Sequence, residues 1–258
     1  MKPLFVIFIF SLIINSFISD TPLYSQEIPE DEEQIKSSIK KPEIPNRFSD
    51  YNSLFTTRDA NLLSEKEGLI SLKLFDYSSN TERNFFSRTE FNYRKNILKD
   101  LEFGGKFSGY YSGYEFMLVN DLSISFAYNI FKETVNRPSV SVMLEGRRFL
   151  SESFGFGYSA KVMLSKTIGE LKLTLNYTYN SMEISRTLTG HNNILSGTLQ
   201  YEVIKDKFFM MVEVMKDRDN YFKYGIGATF KISDGFWINA GFFRGNGNTF
   251  MIGFGFNF

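Results

Sequence analysis

The last ten residues, TFMIGFGFNF from Thr249 to Phe258, decide how the rest of the chain is read. Counting back from the end, every second residue is large and apolar: Phe258, Phe256, Phe254, Ile252 and Phe250. Between them stand Asn257, Gly255, Gly253 and Met251, which are small, polar or flexible. A period of two marks a β-strand with one apolar face. Chain ends are normally polar and frayed unless something ties them down, so this face requires a partner.

The same texture runs back to Leu69. In FKYGIGATFKI, Phe222, Tyr224, Ile226, Ala228, Phe230 and Ile232 alternate with Lys223, Gly225, Gly227, Thr229 and Lys231. LKLTLNYTYN sets Leu171, Leu173, Leu175, Tyr177 and Tyr179 against Lys172, Thr174, Asn176, Thr178 and Asn180. The pattern predicts twelve strands, at about 69–77, 85–94, 101–111, 118–131, 139–149, 154–165, 170–181, 194–204, 207–216, 222–232, 236–244 and 250–258. Turn formers such as KDK, DRDN, SDG and RGNGN separate them, and long helical patterns are absent. Asn120 and Asp121 leave room for an additional turn in the fourth strand.

Alternating strands fit either a soluble sandwich or a membrane barrel, and three features favour the barrel. The strands are about nine to eleven residues long, which suits a tilted crossing of the hydrocarbon. The face opposite the apolar one carries Gly, Ser, Thr, Asn and isolated charges rather than a coat of Lys and Glu. Aromatic residues recur at strand ends (Phe85, Tyr110, Phe149, Tyr179, Phe222, Trp237, Phe258), where an interfacial girdle would lie. The excess of Phe, 29 against one Trp, also suggests a surface that meets something apolar. The expected fold class is therefore an all-β, transmembrane, antiparallel up-and-down barrel. An even strand number places both its ends in the periplasm, and the longest connections, near 112–117 and 182–193, fall on the external side.

Two segments precede the barrel. MKPLFVIFIFSLIINSFIS has Lys2 and then an apolar run, the layout of a signal peptide cleaved after Ser19 or Ser25 and assigned here to residues 1–25. Residues 26–68 hold prolines and many charges and are expected as a flexible periplasmic segment outside the wall. In it, Glu30, Asp31, Glu32 and Glu33 are suited to a transient plug held by lumen bases. The barrel occupies residues 69–258. Of 29 bases and 29 acids, six bases and ten acids lie in 26–68, and Lys2 and Asp20 lie in the leader, so the barrel keeps 22 bases and 18 acids.

The terminal pattern resembles that of bacterial outer-membrane β-barrels, whose last strand ends in an aromatic residue preceded by alternating apolar ones. On that resemblance Phe250, Ile252, Phe254, Phe256 and Phe258 are the signal read by the barrel-assembly machinery. It implies residence in the outer membrane among its lipids and points to no particular family.

Charges on the face assigned to the lumen are Lys73, Arg88, Glu90, Arg94, Glu102, Lys106, Glu145, Arg147, Lys161, Lys172, Glu202, Glu213 and Lys223. Hydrated, they would line a path for small polar solutes or ions; paired, they would close it. Glu145, Arg147, Lys161, Lys172, Glu213 and Lys223 are the lumen-lining candidates. The expected function is a porin-like channel without chemistry. The alternatives are a non-conducting structural or surface-binding barrel acting through 182–193, and a lipid hydrolase using His191 with Asn192 or Asn193. His191 is placed in an external loop without a nucleophile motif, and no catalytic, cofactor or metal site is assigned. FRGNGNTF lacks a following helix and reads as a hairpin rather than a phosphate loop. A formal charge of zero disfavours a nucleic-acid partner, and the absence of Cys excludes disulfides and a lipidated cysteine.

Overall fold

The computed structural model of the protein describes residues 57–79, 85–111, 116–150, 155–185, 188–216, 222–245 and 247–258. The expected signal peptide and the four clustered acids lie outside these residues. Twelve strands form: β1 Gly68–Ser79, β2 Phe85–Leu98, β3 Leu101–Tyr111, β4 Phe116–Phe131, β5 Ser139–Phe149, β6 Phe156–Ile168, β7 Leu171–Ser185, β8 Leu188–Ile204, β9 Phe208–Lys216, β10 Phe222–Lys231, β11 Phe236–Arg244 and β12 Gly247–Asn257. Each is antiparallel to its sequence neighbours, and β12 pairs with β1 to close the barrel. Closure leaves no sheet edge, which is the condition for a sheet to sit in hydrocarbon.

The wall is sorted by parity. Ile124, Leu144, Val212 and Phe250 project from the outer surface, 45–66% exposed, while Met163, Phe209 and Met211 inside are 0–2% exposed. Water would not tolerate so large an apolar exterior, whereas lipid requires it.

Gly68 and Phe258 make the seam. Their backbones exchange two hydrogen bonds, Gly68 N to Phe258 O at 2.7 Å and Phe258 N to Gly68 O at 2.9 Å. The Phe258 ring lies against Gly68 so closely that an added Cβ would stand 2.4 Å from it. Tyr93 on β2 and Phe256 stack beside that ring at 6.4 and 6.5 Å. The terminal aromatic thus caps the junction between the last strand and the first.

At the end carrying the seam two of the turns are tight. Asp100 and Gly169 each take a positive φ, of 66° and 59°, in two-residue hairpin connections. Gly169 does so without a Cβ to strain. This end, expected to be periplasmic from the even strand number, is called the inner end below.

Three expectations are corrected. β4 is one strand, and Asp121 pairs with Phe149 within the ladder, so Asn120 and Asp121 make no turn. Residues 182–193 are not a long loop: β7 and β8 continue as a ladder through Asn180↔Asn192, Ser181↔His191 and Met182↔Gly190. The connection shrinks to residues 186–187, because the hairpin lengthens by pairing its backbone. Finally, the longest connection is 132–138, at the inner end. There Lys166 Nζ donates to the carbonyls of Thr134 and Val135 at 2.6 Å, and Arg137 lies over the Phe131 ring at 4.9 Å.

Candidate functional site: the lumen

Strand parity carries all thirteen expected charges to the inward face. Lys73 pairs across the ladder with Glu90, Lys106 with Ser123, and Glu145 with Ser125 and Ser159. The lumen they line has two unlike halves.

In the outer half the charges form a network over β2 to β5. Arg147 Nη2 donates to Glu145 Oε1 at 2.7 Å, and Lys106 Nζ lies 3.8 Å from the same oxygen. Arg88 Nη2 stands 3.5 Å from Glu90 and 3.6 Å from Asp121, which also accepts the Ser108 hydroxyl at 2.5 Å. The guanidiniums are the exposed members: the side chains of Arg88 and Arg147 are 35% and 32% exposed, against 3% for Asp121 and 13% for Glu145. The carboxylates therefore lie back against the wall and the cations face the water. Lys161 on β6 stands opposite Met143, at the boundary between the two halves. Lys223 lies on β10 with its stem over Gly245.

The inner half is filled. Residues 57–63, expected outside the wall, run through it. Asp59 pairs with Lys172, both nearly fully buried, and Arg58 pairs with Glu102. Glu102 is also gripped by Arg94, whose Nε and Nη2 donate to its two oxygens at 2.6 and 2.9 Å. Thr57 donates from its amide and hydroxyl to Glu213 Oε1 at 3.0 and 2.9 Å. The Ala60 carbonyl accepts from Asn129 Nδ2 at 3.1 Å, Ser139 Oγ at 3.2 Å and Ser141 Oγ at 2.5 Å, while its amide donates to Ser165 Oγ at 2.9 Å. Ser139, Ser141 and Ser165 are lumen-facing hydroxyls with no exposure. Backbone groups that a loop normally leaves to water are satisfied here by the wall.

Apolar contacts complete the seal. Ala60 and Leu62 pack with Ala127, Met143 and Met163, and Leu63 with Leu69 and Trp237. Trp237 was expected in an interfacial girdle but is 1% exposed and inside. Gly255 on the next strand makes this possible, since a Cβ there would fall 2.0 Å from the indole. The ring lies flat on the bare backbone instead of crossing the lumen. Phe149 likewise turns inward, with Arg147 over its ring at 5.9 Å. Beside Thr57, Asp59 and Lys172 a void of about 10 Å³ remains, room for about one water.

Of the lumen candidates, Glu145 and Arg147 meet in the charged outer wall, Lys161 stands at the boundary of the halves, Lys172 and Glu213 bind the inner segment, and Lys223 stands on the opposite wall. Glu202 closes the β8–β9 turn by accepting Asp206 N at 2.5 Å. Phe250, Ile252, Phe256 and Phe258 point outward and are exposed, with Phe254 on the same face. His191 is on the strand β8, not in a loop, and its Nδ1 is 2.9 Å from the Tyr179 hydroxyl, with the two rings stacked. The GNGN stretch is the β11–β12 hairpin, with Gly245 N donating to Gly247 O at 3.0 Å. Two contributors were not singled out from the sequence. Asp121 shares parity with Ser123 and Ser125, a signal obscured by reading it as a turn; Arg58 to Leu63 carry no periodic signal.

No family model matches the sequence, and no curated protein matches it. Solved structures do share its fold. The KdgM porin in complex with disordered oligogalacturonate is 9% identical, with a TM-score of 0.58 over 74% of this chain and 99% of that one. An outer membrane channel from Pseudomonas putida F1 gives 9% identity and a TM-score of 0.59, covering 78% of this chain and 98% of its own. The NanC porin gives 12% and 0.53, over 72% and 98%. The fold is that of the outer-membrane β-barrels.

Proposed function

We propose that the protein is an outer-membrane channel for small polar solutes, with a preference for anions set in its outer half. The observation that carries this reading is the layering of charge there: Arg88 and Arg147 face the water, and Glu145 and Asp121 sit behind them. A solute entering from outside meets the cations first, at close range and beside a low-dielectric wall, where electrostatic selection is strong. The like-folded porin bound to oligogalacturonate, an acidic saccharide, is compatible with such a wall. No chemistry is assigned to the lumen, and the terminal aromatic strand is taken as the substrate of the assembly machinery.

The test is recording from the purified protein in planar bilayers under a salt gradient. A reversal potential on the anion side is expected, moving to the cation side in Arg88→Glu/Arg147→Glu. Absence of current in the wild type and in variants of the inner segment would reject the channel. The occupied inner half favours a second reading, a non-conducting barrel, and the same recording separates the two.

A further inference from the structure

We propose that residues 57–63 are a displaceable gate: a stretch of the chain's own backbone that closes the inner half of the lumen and swings about the turn at residues 64–67. The barrel does not need it for closure, since β1 and β12 pair continuously from Leu69↔Asn257 to Ser79↔Gly247. The turn is anchored firmly on its wall side, whereas before it the Leu63 carbonyl is held by the Asn96 side chain at 2.9 Å. Asn96 N donates to Glu67 O at 3.1 Å, and Gly68 is bonded to Phe258. Residues 64–67 are exposed, with Lys66 at φ 73°. Movement of what precedes the turn therefore requires Leu63 to give up its bonds to Asn96 and Glu102 as well.

The contacts of the segment divide into those that can be surrendered and one that resists. Glu102 shares its oxygens between Arg58 of the segment and Arg94 of the wall. When Arg58 leaves, the carboxylate keeps its bidentate partner, so this site is satisfied in both states. The donors to the Ala60 carbonyl are hydroxyls and an amide, and Glu213 accepts from a neutral amide and hydroxyl of Thr57; water can take the place of each once the lumen floods. Lys172 is different, because in the closed state Asp59 offsets a full charge held at a depth of 2% exposure. The Asp59–Lys172 pair is therefore the latch. Breaking one side of a buried pair is far costlier than removing an exposed one, and here the cost falls on the closed state alone, since the open lumen hydrates Lys172.

The experiment has two readouts, so that failure of the gate and failure of the channel reading are distinguishable. The first uses the absence of native Cys: the thiol of Ala60→Cys in the folded, membrane-inserted protein is timed against a charged maleimide. Adding Asp59→Asn should speed modification about tenfold or more. The swap Asp59→Lys/Lys172→Asp should bring the rate back towards the parent, and Arg58→Ala should raise it less than Asp59→Asn. Equal rates across this set overturn the gate. The second readout is current through Ala60→Cys/Ser141→Cys, which the structure brings together at the Ala60 carbonyl. Oxidation should shut the current and reductant restore it; full current in the oxidised form also overturns the proposal. If modification follows the expected order while no variant conducts, the gate stands and the channel reading falls.

Discussion

The two halves of the lumen are built from the same residue types and behave as different materials. Above, Arg88, Arg147, Lys106 and Glu145 keep part of their surface in water, so each pair is loosely held and exchangeable. Below, Lys172, Asp59 and Glu102 are nearly fully buried and tied to a segment of the same chain. Charge in the outer half is available to a solute, whereas charge in the inner half is consumed by structure. A lumen-facing charge in a barrel is thus not a selectivity residue by position alone; what matters is whether water reaches it.

Changes in the inner half should cost most. Trp237→Ala removes the ring that packs Leu63 and Leu69 and leaves a cavity over Gly255. Loss of such a core aromatic destabilises by about 3–5 kcal/mol, read as a lower denaturation midpoint in the heat-modified gel shift or by circular dichroism. A loss below about 1 kcal/mol would show that the inner half is not a packed core.

Outer substitutions should change function more than stability. Arg147→Ala leaves Glu145 facing Lys106 at 3.8 Å, and partly exposed pairs contribute about 0–1 kcal/mol. Anion preference should fall while the midpoint stays within about 1 kcal/mol of the parent. If Arg147→Ala unfolds the barrel as readily as Trp237→Ala, the distinction between the halves fails.

Salt sharpens the same contrast by a smaller effect. Screening contracts from about 10 Å at 0.1 M to about 3 Å at 1 M. Anion preference in the outer half should decline across that range. Modification of Ala60→Cys should not accelerate in step, because the Asp59–Lys172 latch excludes the screening ions. Parallel changes in both readouts would place the latch in water.

These halves were unequally legible in the sequence. The wall follows from alternation, because every strand that crosses lipid must put one apolar side outward, and that rule alone carries Lys73, Arg88 and Lys223 inward. It fails where lipid no longer imposes it. Residues 182–193 extend a hairpin by backbone pairing, which needs no period of two in the side chains. It fails again for residues 57–63, whose binding is made by the Ala60 and Leu63 backbones and by single side chains such as Asp59. A segment recognised through its backbone leaves no hydrophobic pattern, and its prolines and charges upstream suggest solvent. Trp237 was misplaced for a related reason: its position is set by Gly255 on another strand, a pairing visible only once the register is known.

The smallest effect is expected outside the lumen altogether, at His191. The ladder sets Ser181 directly opposite it at the outer end of β7 and β8, so a serine and a histidine are neighbours across the strands. Yet the imidazole Nδ1 is engaged by the Tyr179 phenol. A neutral phenol does not stabilise the imidazolium that forms when a histidine takes a serine proton, as a carboxylate does. Ser181 is also only 3% exposed, which keeps a bulky ester away from it. His191→Ala and Ser181→Ala should therefore leave conductance, folded yield and phospholipid content unchanged, with a stability effect within about 0.5 kcal/mol. Release of fatty acid from phospholipid vesicles by the wild type, lost in either variant, would move the chemistry from the lumen to the outer surface and make the two halves a scaffold for it.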